Sequence, residues 1–518
     1  MKNLYKNNYL SSLYLIFLGA LNSFSLPPYN YYVINFITFS LFFIFLINKN
    51  NILKKNFNYF KYGWLFGFGY FFASLYWITI ALTFDKNFQI LIPVSLILIP
   101  SFLAIFYGCA LYIFSFFKKN ENISLALTLS ILLGTTEFIR GNILTGFPWN
   151  LFVFSFSNNL GFIQILSVLG TYSLNTICVT FFLIPAIFIL RKTKIEIFFC
   201  LTFILIGILF LVFGNMKLNN QNFISHKKNN FVIKVISSKI DINRFYIFSN
   251  EQKILEELIK LSTPDPNIAT IFIWPEGILS STNLADVKRY KNLFEKNFSD
   301  KHLIILGINH EVLNNNNLEI YNSLAVVDKN LNVRNLYYKN KLVPFGEFLP
   351  FEKFLSSLSL RSITHGYQSF SKSKIRDVIN IENEYFNLTF LPLICYEIIY
   401  SGKLYKDSNF NFIVNISEDG WFGSSVGPHQ HFVHSIFRSI EEGKSIIRSS
   451  NNGISAHIDS KGRVIKKIES TQSGVIEITN TDKQNETIFF KNGNNILFYL
   501  LLIYISFIFF INKKRERE

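Results

Sequence analysis

The sequence predicts a multi-span α-helical membrane bundle (eight spans) joined to a layered α/β domain, and three observations predict it. Hydrophobic residues make up 50% of the 518-residue chain and aromatics 17%, with 59 phenylalanines, while charged residues reach only 16%; soluble proteins carry closer to a quarter. Apolar runs long enough to cross hydrocarbon, roughly 20 residues each, crowd the first 214 residues and recur once near the C-terminus. Between them, short β-rich runs alternate with polar, helix-compatible stretches. The expected division is a seven-span membrane domain at 1–214, an extracytoplasmic catalytic domain at 215–490, and an eighth span with a basic tail at 491–518. Fully disordered, collagenous and disulfide-stapled chains are excluded.

The apolar runs lie near 8–26, 31–48, 63–84, 89–117, 122–139, 161–190, 195–214 and 495–512. Those at 89–117 and 161–190 exceed a simple crossing and are expected to include interfacial turns. The first run is too long for a signal peptide and lacks a small-residue cleavage site, so it is expected to stay as a span. Basic residues test the count. With Lys2 and Lys6 cytoplasmic, the clusters Lys49/Lys54/Lys55/Lys61, Lys118/Lys119, Arg191/Lys192/Lys194 and Lys513-Lys514-Arg515 with Arg517 all fall on one side. The opposite loops, Pro27–Asn30, Asp85–Phe88 and the stretch after Glu137 with Arg140 alone, are poor in Lys and Arg. This topology puts 215–490 outside the cytoplasm, facing the periplasm if the cell has two membranes. The net charge of +16 favours anionic lipid headgroups; with no basic stripe or recognition motif, nucleic acid is not an expected partner.

In the outer segment, strands are expected at Phe231–Ser237, Ala269–Trp274, His302–Asn309, Ser323–Val327, Asn387–Cys395, Asn411–Ser417, Ile454–Asp459 and Val475–Thr479. Helices are expected over 249–262, 283–298 and 429–446. Asp328-Lys329-Asn330 and Ser460-Lys461-Gly462 read as hairpin turns. Strands interleaved with helices argue for layered α/β rather than an all-β sandwich. Asn314–Asn317 reads as a loop tip, and no internal repeat is evident.

Three short segments carry chemistry. Ile273-Trp274-Pro275-Glu276 places a carboxylate just after a buried-looking strand, where α/β sheets present ligands; a helix-capping acid is the plain alternative. Tyr337-Tyr338-Lys339-Asn340-Lys341 runs into Leu342-Val343-Pro344-Phe345-Gly346-Glu347, a lysine strand followed by a turn. Leu393-Ile394-Cys395-Tyr396-Glu397 ends an apolar strand on a cysteine. Cys109, Cys178 and Cys200 sit inside apolar runs and form no disulfide framework, leaving Cys395 alone in the outer segment. A buried free cysteine is usually a small hydrophobe, but a lone thiol where thiols oxidise readily needs a reason. Glu, Lys and Cys at three strand ends suit acyl transfer: a base for the thiol and a cation for the oxyanion.

Trp-Pro-Glu, Tyr-x-Lys-x-x-Leu-Val-Pro-Phe-Gly-Glu and Ile-Cys-Tyr-Glu, in that order, resemble the nitrilase (carbon-nitrogen hydrolase) superfamily and, more narrowly, the apolipoprotein N-acyltransferase family. The resemblance continues through Trp421-Phe422-Gly423, Gly427-Pro428-His429-Gln430-His431 and Arg448–Gly453. It reaches into the spans at Ser25–Tyr29, Gly67-Phe68-Gly69 and Thr145-Gly146-Phe147-Pro148-Trp149. It implies a nitrilase-like αββα sandwich on eight membrane helices in the bacterial inner membrane. It implies Glu276 as general base, Lys339 as oxyanion-stabilising cation and Cys395 as nucleophile, with Glu347 and Glu397 in support and Tyr396 and Trp421 along the acyl or lipid path. The substrates it implies are a phospholipid acyl donor and a diacylglyceryl-lipoprotein acceptor. The sequence departs from the family at Glu418-Asp419-Gly420-Trp421, where Asn-Asp-Ala-Trp is usual.

No metal or other cofactor is expected. His429 and His431 do not share a helical face, and helix-start hydrogen bonding is the expected role of these two and of His434. Arg448 and Asn451–Asn452 are expected to fix the loop behind the nucleophile. Two other functions compete. A membrane-tethered nitrilase-type amidase on small molecules would need one anchor rather than seven preceding spans. A transporter with an appended domain would carry ionisable groups near the bilayer midplane, where these spans have almost none.

Overall fold

The structure is a computed structural model that describes residues 7–50, 57–117, 121–220, 225–246, 250–314, 317–350, 369–402, 404–405, 410–483 and 486–515. Seven helices fill the N-terminal part: α1 (Asn8–Asn22), α2 (Val33–Asn50), α3 (Phe57–Leu75), α4 (Ile92–Phe114), α5 (Asn122–Asn142), α6 (Leu166–Leu190) and α7 (Lys194–Asn219). The over-long runs contain the expected breaks. α4 is flanked by 3-10 turns at Gln89–Leu91 and Ser115–Phe117, and α6 follows a one-turn helix, Leu160–Ile163. Helix α3 tightens into a 3-10 segment, Tyr76–Thr83.

Among the described residues, six helical segments are long and apolar enough to cross a membrane: Phe57–Thr83, Gln89–Phe117, Asn122–Asn142, Leu166–Leu190, Lys194–Asn219 and Asn495–Lys513. The expected spans at 8–26 and 31–48 are helical but shorter: α1 has 15 residues, and Val33–Lys49 is a shorter apolar helix. Six of the eight expected spans therefore meet the length requirement. Lys2, Lys6, Lys54, Lys55, Lys118, Lys119 and Arg517, which entered the topology argument, lie outside the described residues, as do Asn315 and Asn316.

Among the described residues, the segment between α7 and the C-terminal helix builds two six-stranded sheets. Its strands are β1 (Ser225–Ser237), β2 (Thr270–Ile273), β3 (His302–Asn314), β4 (Asn317–Val327), β5 (Val333–Tyr338), β6 (Ile379–Glu382), β7 (Asn387–Ile394), β8 (Phe412–Glu418), β9 (Ser445–Asn451), β10 (Ser455–Ile458), β11 (Val464–Ile468) and β12 (Gly474–Lys483). The strand orders are β12-β1-β2-β3-β4-β5 and β11-β10-β9-β8-β7-β6. Period-2 alternation sends side chains to opposite faces. Ile233, Val235, Ile271, Ile273, Leu303, Ile305, Leu324 and Val326 share one core with Phe390, Leu391 and Ile413 of the other sheet. The intervening Ile236, Phe272, Trp274, Ile304, Leu306 and Val327 pack instead with Leu255, Leu258 and Phe294, from helices α8 (Glu251–Ser262) and α9 (Lys291–Asn297). Each such side chain contributes about 1.5–3 kcal/mol when fully buried. Helix α10 (Gly427–Glu442) packs on β9 and β10 and also on membrane helix α6. The last helix, α11 (Asn495–Arg515), contacts α5 and α6. This is the nitrilase-like αββα sandwich on a helical membrane bundle.

Both expected hairpins form, β4–β5 and β10–β11. The helix expected over 429–446 is corrected at its end: Gly443 adopts φ 63 and caps α10, and Ser445 already begins β9. A left-handed residue after the last turn is where helices stop. The helix expected over 283–298 also shortens, to a 3-10 turn at Val287–Tyr290 followed by α9.

Candidate active site

The three strand ends converge. The chain leaves β2 through Trp274-Pro275 to Glu276, leaves β5 directly into Lys339, and leaves β7 directly into Cys395. Cys395 sits at φ 48 and opens a 3-10 turn, Cys395–Ile399. A non-glycine residue in that region stores about 1–3 kcal/mol and persists only where its surroundings hold it. Glu397 is part of what holds it. Fully buried, it accepts from the backbone N–H of Ile394 (2.9 Å), Asn340 (2.9 Å) and Lys341 (3.1 Å), and from Tyr337 and Arg376. One carboxylate thus ties the cysteine turn to the segment that carries Lys339.

Lys339 is 1% exposed, and its ammonium donates to Glu276 Oε1 at 3.3 Å and Glu347 Oε1 at 2.8 Å. The Asn322 amide donates to the same two oxygens at 2.7 and 2.8 Å, and the Glu418 N–H donates to Glu276 Oε2 at 3.0 Å. Burial alone would lower Lys339, but Glu276 and Glu347 outweigh it and hold the ammonium well above its ordinary value. At Cys395 burial comes first and Glu276 second; both push the thiol well above its ordinary value, against the pull of Lys339. The resting thiol is neutral, with a carboxylate and a cation at hand to activate it. Lys341 stands apart, its ammonium 5.2 Å from the Tyr400 ring centre. Burial, Lys372 and Arg376 lower it.

Behind the nucleophile is a second buried network. Asp419 Oδ2 accepts from Arg448 at 2.8 Å, and Arg448 also reaches Asn415 and the Ile454 carbonyl. His431 places Nδ1 2.9 Å from Asp419 and Nε2 3.3 Å from the Cys395 carbonyl. Burial would raise Asp419, but Arg448 and His431 keep it well below the carboxylate range. Asn451 joins Ser238 and Ile240 to Glu418, and Asn452 donates to the Ile240 carbonyl. His434 lies 3.1 Å from the Trp149 carbonyl, and His429 is half-buried in the first turn of α10. Among the described residues, no group of three or more His, Cys, Asp or Glu side chains is placed to hold a metal ion.

The membrane bundle reaches this site through the loop after α5. Tyr396 donates from its hydroxyl to the Gly146 carbonyl at 2.8 Å. Arg140, paired with the buried Glu137, holds the Phe147 carbonyl of the same loop. Trp149 stacks on His431 at 5.3 Å, and the Gln430 side-chain oxygen accepts from Trp149 at 2.8 Å and Trp77 at 3.2 Å. Trp421, half-buried, stacks on Phe245 at 5.3 Å and meets Phe84 edge-on at 6.1 Å.

Glu276, Lys339, Glu347 and Cys395 are therefore brought together, Glu397 braces them, and Tyr396 and Trp421 face the spans. Asn322, Arg244 and Arg376 went unnoticed in the sequence. Asn322 left a signal, a polar residue opening the run that is buried through to the end of β4.

Comparison with known proteins agrees across the chain. Residues 18–184 match the family described as apolipoprotein N-acyltransferase N-terminal domain, and residues 279–482 match the carbon-nitrogen hydrolase family. The chain is 31% identical over 459 residues to the apolipoprotein N-acyltransferase of Rickettsia prowazekii, covering 87% of this chain and 89% of that protein. It is 28% identical over 484 residues to the protein of the same name from Rhizobium rhizogenes, covering 90% and 89%. Among solved structures, an amidase from Nesterenkonia sp. AN1 aligns with a TM-score of 0.31 and 10% identity, covering 48% of this chain and 92% of that one.

Proposed function

The chain belongs to the apolipoprotein N-acyltransferase family, and from that premise we propose how it moves an acyl chain onto a lipoprotein. The donor is a membrane phospholipid. Cys395 Sγ attacks the ester carbonyl as Glu276 takes the thiol proton, and the oxyanion that forms faces the Lys339 ammonium. The carbon–oxygen bond breaks, Glu276 returns the proton to the leaving alkoxide, and a lysophospholipid departs. The acyl chain stays on Cys395 as a thioester. The α-amino group of the acceptor's diacylglyceryl-cysteine then attacks the thioester, Glu276 receives its proton, and the thiolate leaves and is reprotonated. Glu347 and Glu397 hold Lys339 and the cysteine turn in place, while Tyr396 and Trp421 line the side from which lipid enters.

The observation that carries this reading is the buried meeting of Glu276, Lys339 and Glu347 at strand ends beside a lone buried thiol. Both substrates are lipid-anchored, which gives a reason for seating the sandwich on the bundle. In this reading residues 1–214 and 491–518 are the membrane parts and 215–490 the catalytic domain, on the periplasmic face of the inner membrane. Incubation with phospholipid followed by mass spectrometry of the intact protein tests the chemistry: the acyl mass is expected on the Cys395 peptide and is released by hydroxylamine. An acyl mass on another residue would overturn the assignment. For orientation, an impermeant amine reagent is expected to label Lys291 but not Lys192 in cells with a permeabilised outer membrane, and the reverse pattern would overturn it.

A further inference from the structure

Glu418 puts a second carboxylate beside the base. Glu418 is 2% exposed, and its own backbone N–H holds Glu276 Oε2 at 3.0 Å. A buried carboxylate there, uncompensated, would be costly and would repel the Glu276 anion. Arg244 compensates it. Its guanidinium pairs with Glu418 Oε2, donates to the Gly277 carbonyl at 3.1 Å from Nε and 2.9 Å from NH2, and donates to the Asp241 carbonyl at 3.0 Å. Gly277 is the residue directly after Glu276. Arg244 thus grips the base from two sides, through the peptide that follows it and through the residue whose N–H orients its carboxylate. The same guanidinium lies 4.3 Å from the Phe245 ring centre, and Phe245 stacks on Trp421.

We infer that Arg244 is a positioning residue for acyl transfer: paired with Glu418, it fixes the Glu276 carboxylate in the orientation that receives the Cys395 proton. Four of its five guanidinium N–H donors are engaged by protein acceptors and the residue is buried, so it acts through Glu276. The inference rests on Glu276 being the base.

The test is single-turnover acylation of the full-length enzyme in detergent with one phospholipid, for Arg244→Gln in the native and the Glu276→Gln backgrounds. In the native background Arg244→Gln is expected to slow acylation at saturating donor by on the order of 10–100-fold, with half-saturating donor concentration little changed. In the Glu276→Gln background it is expected to cost nothing further, because residues acting through one group are not additive. Arg244→Gln with Glu418→Gln removes the stranded carboxylate and is expected to acylate faster than Arg244→Gln alone; it also serves if that single variant folds poorly. Equal losses in both backgrounds, or no loss in the native one, would overturn the inference. Native-rate acylation by Glu276→Gln alone would overturn the base assignment instead.

Discussion

Replacing Lys339 with methionine keeps the stem of the side chain and removes its charge. The direct loss is the cation facing the oxyanion, worth about 10²–10³-fold in rate. A second loss follows from the geometry. The Asn322 amide contacts both Glu276 Oε1 and Glu347 Oε1, so those oxygens stand within roughly 6 Å of each other. Two anions at that separation repel by about 3 kcal/mol at an effective dielectric near 20. Without Lys339 between them, that repulsion is uncompensated and pushes the Glu276 carboxylate out of the orientation that meets the thiol. Lys339→Met should therefore fall by about 10³-fold or more. Adding Glu347→Gln removes the competing charge and should recover about tenfold, the equivalent of 1.4 kcal/mol. Single-turnover acylation of the native enzyme and both variants, with melting curves in the same detergent, reads this directly. A double variant no faster than Lys339→Met would refute the argument that the lysine serves the base as well as the oxyanion.

Other perturbations separate the remaining parts of the structure. Cys395→Ser should carry no thioester by intact-protein mass, whereas Cys109, Cys178 and Cys200 to Ala should each keep acylation; loss of acylation in one of these three would point to another nucleophile. Glu442 is fully buried, neither carboxylate oxygen has a hydrogen-bond partner among the described residues, and burial with Glu441 pushes it up to about 8. The folded state therefore holds that proton more tightly than the unfolded chain, so stability is fully present below about pH 4.5 and declines as pH rises toward 8. Glu442→Gln should melt like the native protein at pH 4.5 and increasingly above it by pH 8, and a pH-independent difference in Tm would contradict this. Gly146 holds φ 80, and a Cβ there would come 2.2 Å from the Gly141 carbonyl. Gly146→Ala should displace the carbonyl that receives Tyr396 and slow acylation about tenfold or more; native-rate acylation would show that this contact does not position the turn.

The parts of this molecule visible in sequence are those written in local pattern. Apolar runs disclosed the six helical segments that are long enough, among the described residues, to cross a membrane, and even the breaks in 89–117 and 161–190 were legible as excess length. The strands that end in Glu276 and Cys395 were legible because buried parallel strands are continuous apolar runs. Strands β5, β6 and β11 were not: Asn335, Asn380 and Lys466 interrupt them, and their outward faces are polar. Strand β9 was lost because Ser445–Ile447 continues the helical spacing of α10 past Gly443. At the site, Glu276 and Cys395 stood out because each closes a recognisable strand, and Lys339 because its segment runs into the Pro344-Phe345-Gly346-Glu347 turn. Asn322 and Arg244 did not, since their importance lies in a partner 46 or 174 residues away.

The single side-chain oxygen of Gln430, shared by Trp77 and Trp149, bears on how the protein is made. Synthesis runs from the N-terminus, so both tryptophans and Gly146 are made before Cys395 is translated. Gln430 and His431 follow the cysteine and lock its turn onto those waiting contacts. A chain that ends before Gln430 lacks the acceptor that both tryptophans share and the imidazole that meets the Cys395 carbonyl. The sharing also means that the sandwich and the bundle, expressed apart, would each lack half of the other's docking face.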